Sequence, residues 1–250
     1  MAGSPFDIRS ARPDEMPQVG STMAAAYITD PFARFVWSSP HEYLRAVPLF
    51  IPEFAGGSFE RGSAYVSADF SGAALWLPPM VHPNDEAVEK VVRDTATPEH
   101  LDDVLSTFEK MDQSHPQEPH WYLAVIGVDA NGQGRGLGAA LMRHAVARCD
   151  EEESLAYLES TSPRSISLYE RHGFEVIGKI QVGAFPVVTP MLRKPRQLVM
   201  RRQPASSAAQ QGVRADSTKR SSRPSRELSQ LNARTLGRTS PVPTLPHQKT

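Results

Sequence analysis

Short apolar runs alternate along this chain with longer stretches in which apolar side chains recur every three or four residues. Residues 6–9 read as a first strand, and Asp14 as the cap of a helix running to about Tyr27. Helical spacing returns over 42–54 and ends near Gly56-Gly57. Residues 64–68 and 73–77 are short, apolar and joined by DFSG, which predicts a hairpin. Pro78-Pro79 then stop its second strand. Residues 84–112 predict two acidic helices broken before Pro98.

The second half reads more sharply. Residues 120–128 (HWYLAVIGV) are too short for a typical domain helix and rich in strand formers. The loop DANGQGRGLG follows, then a helix over 137–149 with Leu137, Leu141, Ala145 and Arg148 or Cys149 at three- to four-residue spacing. Residues 155–159 (LAYLE) form another strand. Ser162-Pro163 suits a helix start and Gly173 its stop. Strands over 174–182 and 187–193 complete the pattern, and Pro190 argues that the last one lies at an edge or carries a bulge. A strand–helix–strand unit is a parallel crossover, whereas the front of the chain is hairpin-like. The expected fold class is therefore α/β of the mixed, α+β kind: a central mixed sheet with helices on both faces.

Charge divides the chain. Residues 1–202 hold 19 Lys/Arg against 26 Asp/Glu, and residues 203–250 hold 8 against 2. The tail has no aromatic residue and six Val or Leu among 13 Ser/Thr and five Pro. Burying six such side chains gains at most ~1.5–3 kcal/mol each, while ordering 48 residues costs ~1–2 kcal/mol apiece. The expectation is a folded domain over 1–202 and a disordered basic tail over 203–250, with at most a marginal helix over 225–236. An acidic body lacks the cationic excess that phosphate neutralisation needs, so no nucleic-acid partner is expected. Cys149 is the one cysteine, and the eight histidines form no HxxxH or HExxH pair, so neither a disulfide nor a metal site is expected. No apolar run reaches the roughly 20 residues of a membrane span, and MAGSPFDIRSARPDEM has no signal-like apolar stretch. A cytoplasmic monomer or homodimer is the expectation.

The glycine loop carries the clearest chemistry. Gly132, Gly134, Gly136 and Gly138 lie between a strand and a helix, where glycine permits positive φ and close backbone approach. Amides at a helix start, with the helix dipole behind them, suit a pyrophosphate, and Arg135 adds a charge. A P-loop is excluded because the loop contains no lysine. A dinucleotide site, with Gly134-x-Gly136-x-x-Ala139 and Glu159 ending the next strand, stays open as an NAD(P)-dependent oxidoreductase. Five residues between Val128 and Gly134 are many for its tight turn.

VDANGQGRGLG resembles the acetyl-CoA loop of the GNAT superfamily of N-acetyltransferases, Gln/Arg-x-x-Gly-x-Gly/Ala, here Gln133-x-x-Gly136-x-Gly138. LYERHGFEVIGK resembles the superfamily's second cofactor motif, and the combined likeness covers about residues 120–194. Within the superfamily, LEST-SPR, YERHGF and LRKP look most similar to the puromycin N-acetyltransferases. Ala130 stands where a proline is common, and Ser162 where an asparagine often contacts the cofactor.

The resemblance implies an acetyl-CoA co-substrate and a small-molecule amine acceptor, joined by direct attack in a ternary complex. It also implies a central strand that bulges and splays so that Ile126, Gly127 and Val128 pair with pantetheine. Gln133, Gly134, Arg135, Gly136, Leu137 and Gly138, with Ser162, would hold the rest of the cofactor. Tyr169 matches the family's helix tyrosine, an acid for the leaving thiolate, and the Val128 amide is a candidate oxyanion donor. Glu159 is the best carboxylate for a base, with a salt bridge to Arg164 as its structural alternative. Tyr122, read as sharing a strand face with Ile126 and Val128, is a relay or pocket wall. Asp30, Pro31, Phe32, Trp37 and Trp76 are candidate acceptor walls, whereas His120 and His172 read as surface residues. The ten acids against three bases over 84–118 read as a solvated helical face or as attraction for a cationic amine. An acyl-CoA-binding protein without turnover is the remaining alternative.

Overall fold

In the computed structural model, which describes residues 6–196, seven strands form one sheet. They are β1 (Ile8–Ser10), β2 (Ala64–Ser67), β3 (Gly72–Leu77), β4 (His120–Val128), β5 (Leu155–Ser160), β6 (Glu175–Val176) and β7 (Thr189–Arg193). The spatial order is β1-β2-β3-β4-β5-β7-β6, and only β4 and β5 run parallel. The segment 203–250, read from sequence as a disordered tail, lies outside the described residues.

Helices cover both faces. On one face lie α1 (Met16–Tyr27), α2 (Pro31–Val36), α3 (Pro40–Ala55), α5 (Asp85–Thr95) and α6 (Leu101–Gln113), which pack with Val66, Ala73, Leu75 and Val125. The short α4 (Gly57–Glu60) leads into β2. On the other face, α7 (Leu137–Glu151) and α8 (Pro163–Arg171) pack on Ala74, Trp76, Trp121, Leu123, Ala156 and Leu158. No described helix is long and apolar enough to cross a membrane.

α3 survives Pro48 and Pro52 in its interior. Each costs ~3 kcal/mol, but Tyr43, Ala46, Val47, Phe50, Ile51 and Ala55 are all buried. The large side chains among these return ~1.5–3 kcal/mol apiece, so packing overrides propensity.

Four expectations need correction. Asp14 does not cap α1; a 3-10 turn, Pro13–Glu15, precedes the helix, and the Glu15 carboxylate accepts from the Arg12 amide. α2 was missed because Pro31 opens a six-residue helix too short to show a period, capped by the Asp30 side chain. The run 174–182 gives only the two-residue β6 and a bridge from Ile180 to Val188. Pro190 lies in β7, which is flanked on both sides. Its carbonyl accepts from the Ile177 amide, so its missing N–H lies on that same side, just past the end of β6, and the bonds between β7 and β5 are untouched.

One irregularity positions everything that follows. β3 pairs Leu75 with Val125 but Trp76 with Leu123, so Ala124 is an extra residue in β4. A one-residue bulge inverts side-chain parity. Trp121 and Leu123 face α7, and past the bulge it is Ile126 and Val128 that do so, while Tyr122, Val125 and Gly127 face the other helical layer. Tyr122 therefore does not share a face with Ile126 and Val128, contrary to the even spacing of the sequence.

Candidate functional site

β4 and β5 stay paired from His120↔Leu155 only as far as Leu123↔Leu158, and beyond that point they separate. The separation opens a slot edged by Ala124 to Val128 on one side and Glu159 to Ser162 on the other. It leads into a cavity of about 1010 Å³. The Ile126 carbonyl accepts from the Tyr27 hydroxyl (2.8 Å) and the Val128 carbonyl from Gln133 Nε2 (3.0 Å). The Asp129 amide instead bonds Ser71 beside β3 (2.8 Å). Main-chain polar groups alternate along a strand, so those of Ile126 and Val128 point away from β3, into the slot.

The glycine loop closes one end. Gly134 (φ +72°) and Gly136 (φ +92°) occupy the left-handed region, and Gly136 is the residue from which α7 starts. Both line the cavity with Gln133, Leu137 and Gly138. The Leu137 side chain is buried in the core under the sheet, which leaves its main chain facing the cavity. Arg135 is exposed and is not among the lining residues, because the loop turns it outward. Arg164 and Arg171 on α8 do line the cavity. The sequence reading passed over Arg171, since a helix-end arginine is commonly only a dipole partner. Ser162 lines the cavity, and its side chain makes no capping bond to α8.

Gly127 lies where α1 comes close to β4. A Cβ there would lie 2.7 Å from the Ala26 Cβ and 3.0 Å from the Met23 sulfur. The close approach is that of α1, and it brings Tyr27 to the Ile126 carbonyl.

The other end of the cavity is an aromatic chamber. Trp37, Phe50, Phe54 and Tyr122 follow one another with ring centroids 5.0–6.2 Å apart, and Phe32 packs edge-on to Phe108. Asp30, Pro31, Phe32 and Trp37 are walls as expected. Trp76 is not: even-numbered β3 residues face α7, and it is fully buried there. None of the acids between 84 and 118 lines the cavity, and Arg93 pairs with Glu89 along the exposed side of α5.

Two carboxylates, Asp30 and Glu159, border this space together with the phenols of Tyr122 and Tyr169. Asp30 caps α2 and accepts from Thr161 Oγ1 (3.2 Å). Burial raises its pKa, partly offset by those bonds. Glu159 sits one residue past the last β4–β5 pair with its side chain 2% exposed; neither oxygen makes a well-formed hydrogen bond among the described residues, and the Tyr122 and Tyr157 hydroxyls are potential donors near it. It makes no pair with Arg164; its basic neighbour is His115, with Nε2 at 3.3 Å. The sequence missed His115 because it lies five residues before His120, in a turn that only the fold closes. Burial pushes the Tyr122 hydroxyl well above its ordinary pKa, as does the nearby Glu159 charge. Tyr169 is buried on α8 and lines the cavity. Burial raises its hydroxyl pKa, Asp30 adds to the rise and Ser165 opposes it. A phenol so placed keeps its proton throughout the neutral range.

His172 is not a surface residue. It is 8% exposed, and its ring spans the Leu168 and Ala139 carbonyls (2.8 and 3.2 Å), tying the end of α8 to the start of α7.

Comparison with known proteins adds a family and relatives. Residues 104–174 match the acetyltransferase (GNAT) family. An uncharacterized N-acetyltransferase of Schizosaccharomyces pombe is 24% identical over 173 residues, covering 63% of this chain and 69% of that one. A solved Corynebacterium glutamicum structure, described as histone acetyltransferase HPA2 and related acetyltransferase, is 25% identical with TM-score 0.56. It covers 78% of this chain and 98% of its own. The Drosophila melanogaster polyamine N-acetyltransferase shares the fold at 18% identity and TM-score 0.53, over 76% of this chain and 99% of its own.

Proposed function

We propose that the chain is an acetyltransferase of the GNAT superfamily and that it acetylates the primary amine of a small molecule by direct attack in a ternary complex with acetyl-CoA. The observation that carries this reading is the slot itself. It opens where β4 and β5 part, with the glycine loop at one end and an aromatic chamber at the other.

The residues fit the cofactor. Main-chain groups of Ile126 and Val128 would pair with pantetheine as an added strand does, with Gly127 between them turning its own groups to β3. Amides of Gly134, Gly136, Leu137 and Gly138 at the start of α7 would take the pyrophosphate. Gln133 braces that loop on the Val128 carbonyl. Arg164 and Arg171 add charge inside the cavity, Arg135 adds it from the exposed side, and Ser162 lies where the chain turns into α8. Bound acetyl-CoA supplies an activated thioester carbonyl and a thiolate leaving group.

The chain's own groups do the proton work. Glu159 takes the proton of the incoming ammonium, freeing the nitrogen lone pair for attack. The Val128 amide, turned into the slot, donates to the carbonyl oxygen as negative charge develops there. Tyr169 gives its proton to the departing sulfur. The chamber walls favour an amine with an apolar or aromatic body, while Asp30 and Glu159 favour its cationic head. The likeness of LEST-SPR, YERHGF and LRKP to puromycin N-acetyltransferase puts aminonucleosides first among acceptors.

Free thiol released from acetyl-CoA across an amine panel that includes aminonucleosides tests the proposal. Release with one class of amine is the expected result. No release, together with thermal stabilisation by acetyl-CoA, would leave a binding protein, and stabilisation by NAD alone would overturn the reading. Tyr169→Phe is expected to lower kcat about 100-fold or more, the typical contribution of a positioned acid, with little change in acetyl-CoA affinity. A wild-type kcat would make Tyr169 a packing residue.

A further inference from the structure

A buried carboxylate with no well-formed hydrogen bond is costly unless a proton or a charge is shared with it. Glu159 is in that position, and His115 Nε2 lies 3.3 Å from its Oε1. His115 Nδ1 lies 3.1 Å from His120 Nε2, and His120 Nδ1 lies 2.8 Å from the Glu118 main-chain oxygen. That oxygen can only accept, so His120 Nδ1 carries the hydrogen and Nε2 of the neutral ring is the acceptor. His115 Nδ1 is then the donor between the rings, and the lone pair on His115 Nε2 faces Glu159, placed to accept once the carboxyl has taken up a proton. The three groups form a line with one polarity. Its outer end reaches a second pocket of about 120 Å³, bordered by His82, Gln117, Glu118 and His120.

We infer that His115 and His120 relay the proton collected by Glu159 out of the acceptor chamber and into this second pocket, away from the cofactor loop. The inference rests on the reading of Glu159 as the base. The N–H bond of the ammonium breaks with its electron pair kept by nitrogen, and an O–H bond forms on Glu159. The carboxylic proton passes from Oε1 to His115 Nε2 as the Nδ1 hydrogen of His115 moves to His120 Nε2. The Nδ1 hydrogen of His120 leaves for water. Each ring gains one proton and loses one, so a single proton crosses and no charge accumulates.

The surroundings suit that task. The His115 ring packs on Tyr122 and Tyr157 (centroids 4.6 and 4.5 Å), which shield the inner step from water. The charged groups near the pair are His82, Asp85 and Asp112, besides Glu159. Burial lowers the pKa of His120, His115 and His82 lower it further, and the Glu118 carbonyl and Glu159 oppose them. A ring held neutral near pH 7 is ready to accept.

His120→Ala, made in the full chain at the outer end of the line, tests the relay with an amine found active in the panel. The expected result is a fall in kcat of about tenfold or more, with KM for both substrates unchanged. Added imidazole restores the rate in proportion to its concentration, while the wild-type rate ignores it. An unchanged kcat, or a loss that imidazole does not repair, would overturn the relay. His115→Gln preserves side-chain reach but cannot pass a proton, and it is expected to lose the same activity at an unchanged Tm; wild-type turnover would equally refute the inference. Glu159→Gln separates the two levels. If it keeps full kcat, the base assignment fails and the relay with it. If it loses activity while the histidine variants keep theirs, the relay alone fails and acetyl transfer stands.

Discussion

Gly127→Ala separates two reasons for a glycine in the central strand. An added Cβ would lie 2.7 Å from Ala26 Cβ, 3.0 Å from Met23 Sδ and 3.4 Å from Tyr27 Cε2, all on α1. Carbon atoms rest ~3.5–4.0 Å apart, so the helix must withdraw by roughly an ångström from a strand it packs tightly. Overpacking of this kind costs ~1–3 kcal/mol. Withdrawal also stretches the 2.8 Å bond from the Tyr27 hydroxyl to the Ile126 carbonyl, worth about 1 kcal/mol more. For a domain of this size each kcal/mol moves Tm by roughly 2–4 °C, so the expected fall is about 4–16 °C. Thermal melts with and without saturating acetyl-CoA provide the assay. The ligand-free Tm should drop while the increment given by acetyl-CoA stays near its wild-type value. A wild-type Tm with a diminished increment would refute this reasoning and return the glycine to the cofactor's side of the strand.

Gly136→Asp combines a strained left-handed position (φ +92°) with a negative charge where an anion is expected. The strain costs ~1–2 kcal/mol, and the charge should abolish stabilisation by acetyl-CoA; unchanged affinity would place the phosphates elsewhere. Glu15 accepts from both terminal nitrogens of Arg9 (2.8 Å each) and from the Arg12 amide, and these bonds, led by Arg9, lower its pKa to about 2. A depressed carboxylate stabilises the fold above its unfolded pKa, here 4.5, and loses that contribution as pH falls through about 2. Glu15→Gln should therefore melt earlier than wild type at pH 7, with the gap closing between pH 4.5 and 2. A gap independent of pH would show that the charge is not what matters.

The glycine-loop half of the cavity was legible because its determinants are local. Alternating glycines followed by an apolar stripe require only a strand, a turn and a helix in succession, and 120–128 became β4 with the predicted bounds. The acceptor half was not, because its walls come from α1, α2, α3 and α6 and meet only after folding. Asp30, Phe32 and Trp37 were found through their chemistry, yet Tyr27 and Phe54 carried no signal that distinguished them from core. Trp76 and Tyr122 were misplaced for one shared reason. A sequence shows which residues alternate, but the layer facing each set depends on pairing, and Ala124 shifts the count midway along the strand. His115 escaped because metal and catalytic motifs were sought at helical spacings, whereas this pair is joined through a proline-bounded turn.

The extra residue at Ala124 makes the length of β4 a specification in itself. Upstream of it, the strand delivers the Tyr122 phenol to the chamber and the Trp121 indole to the opposite core; downstream, the same chamber receives Val125 and Gly127. Deleting this one small residue while the outer half stays registered on β3 would exchange the two assignments. The indole would then enter the aromatic chamber and the phenol would sit beneath α7. Many substitutions at position 124 would preserve the protein's sidedness, but no choice of amino acid could make up for a missing one. What this segment encodes is partly an arithmetic instruction, and it is read out in where the cavity lies rather than in what any side chain does.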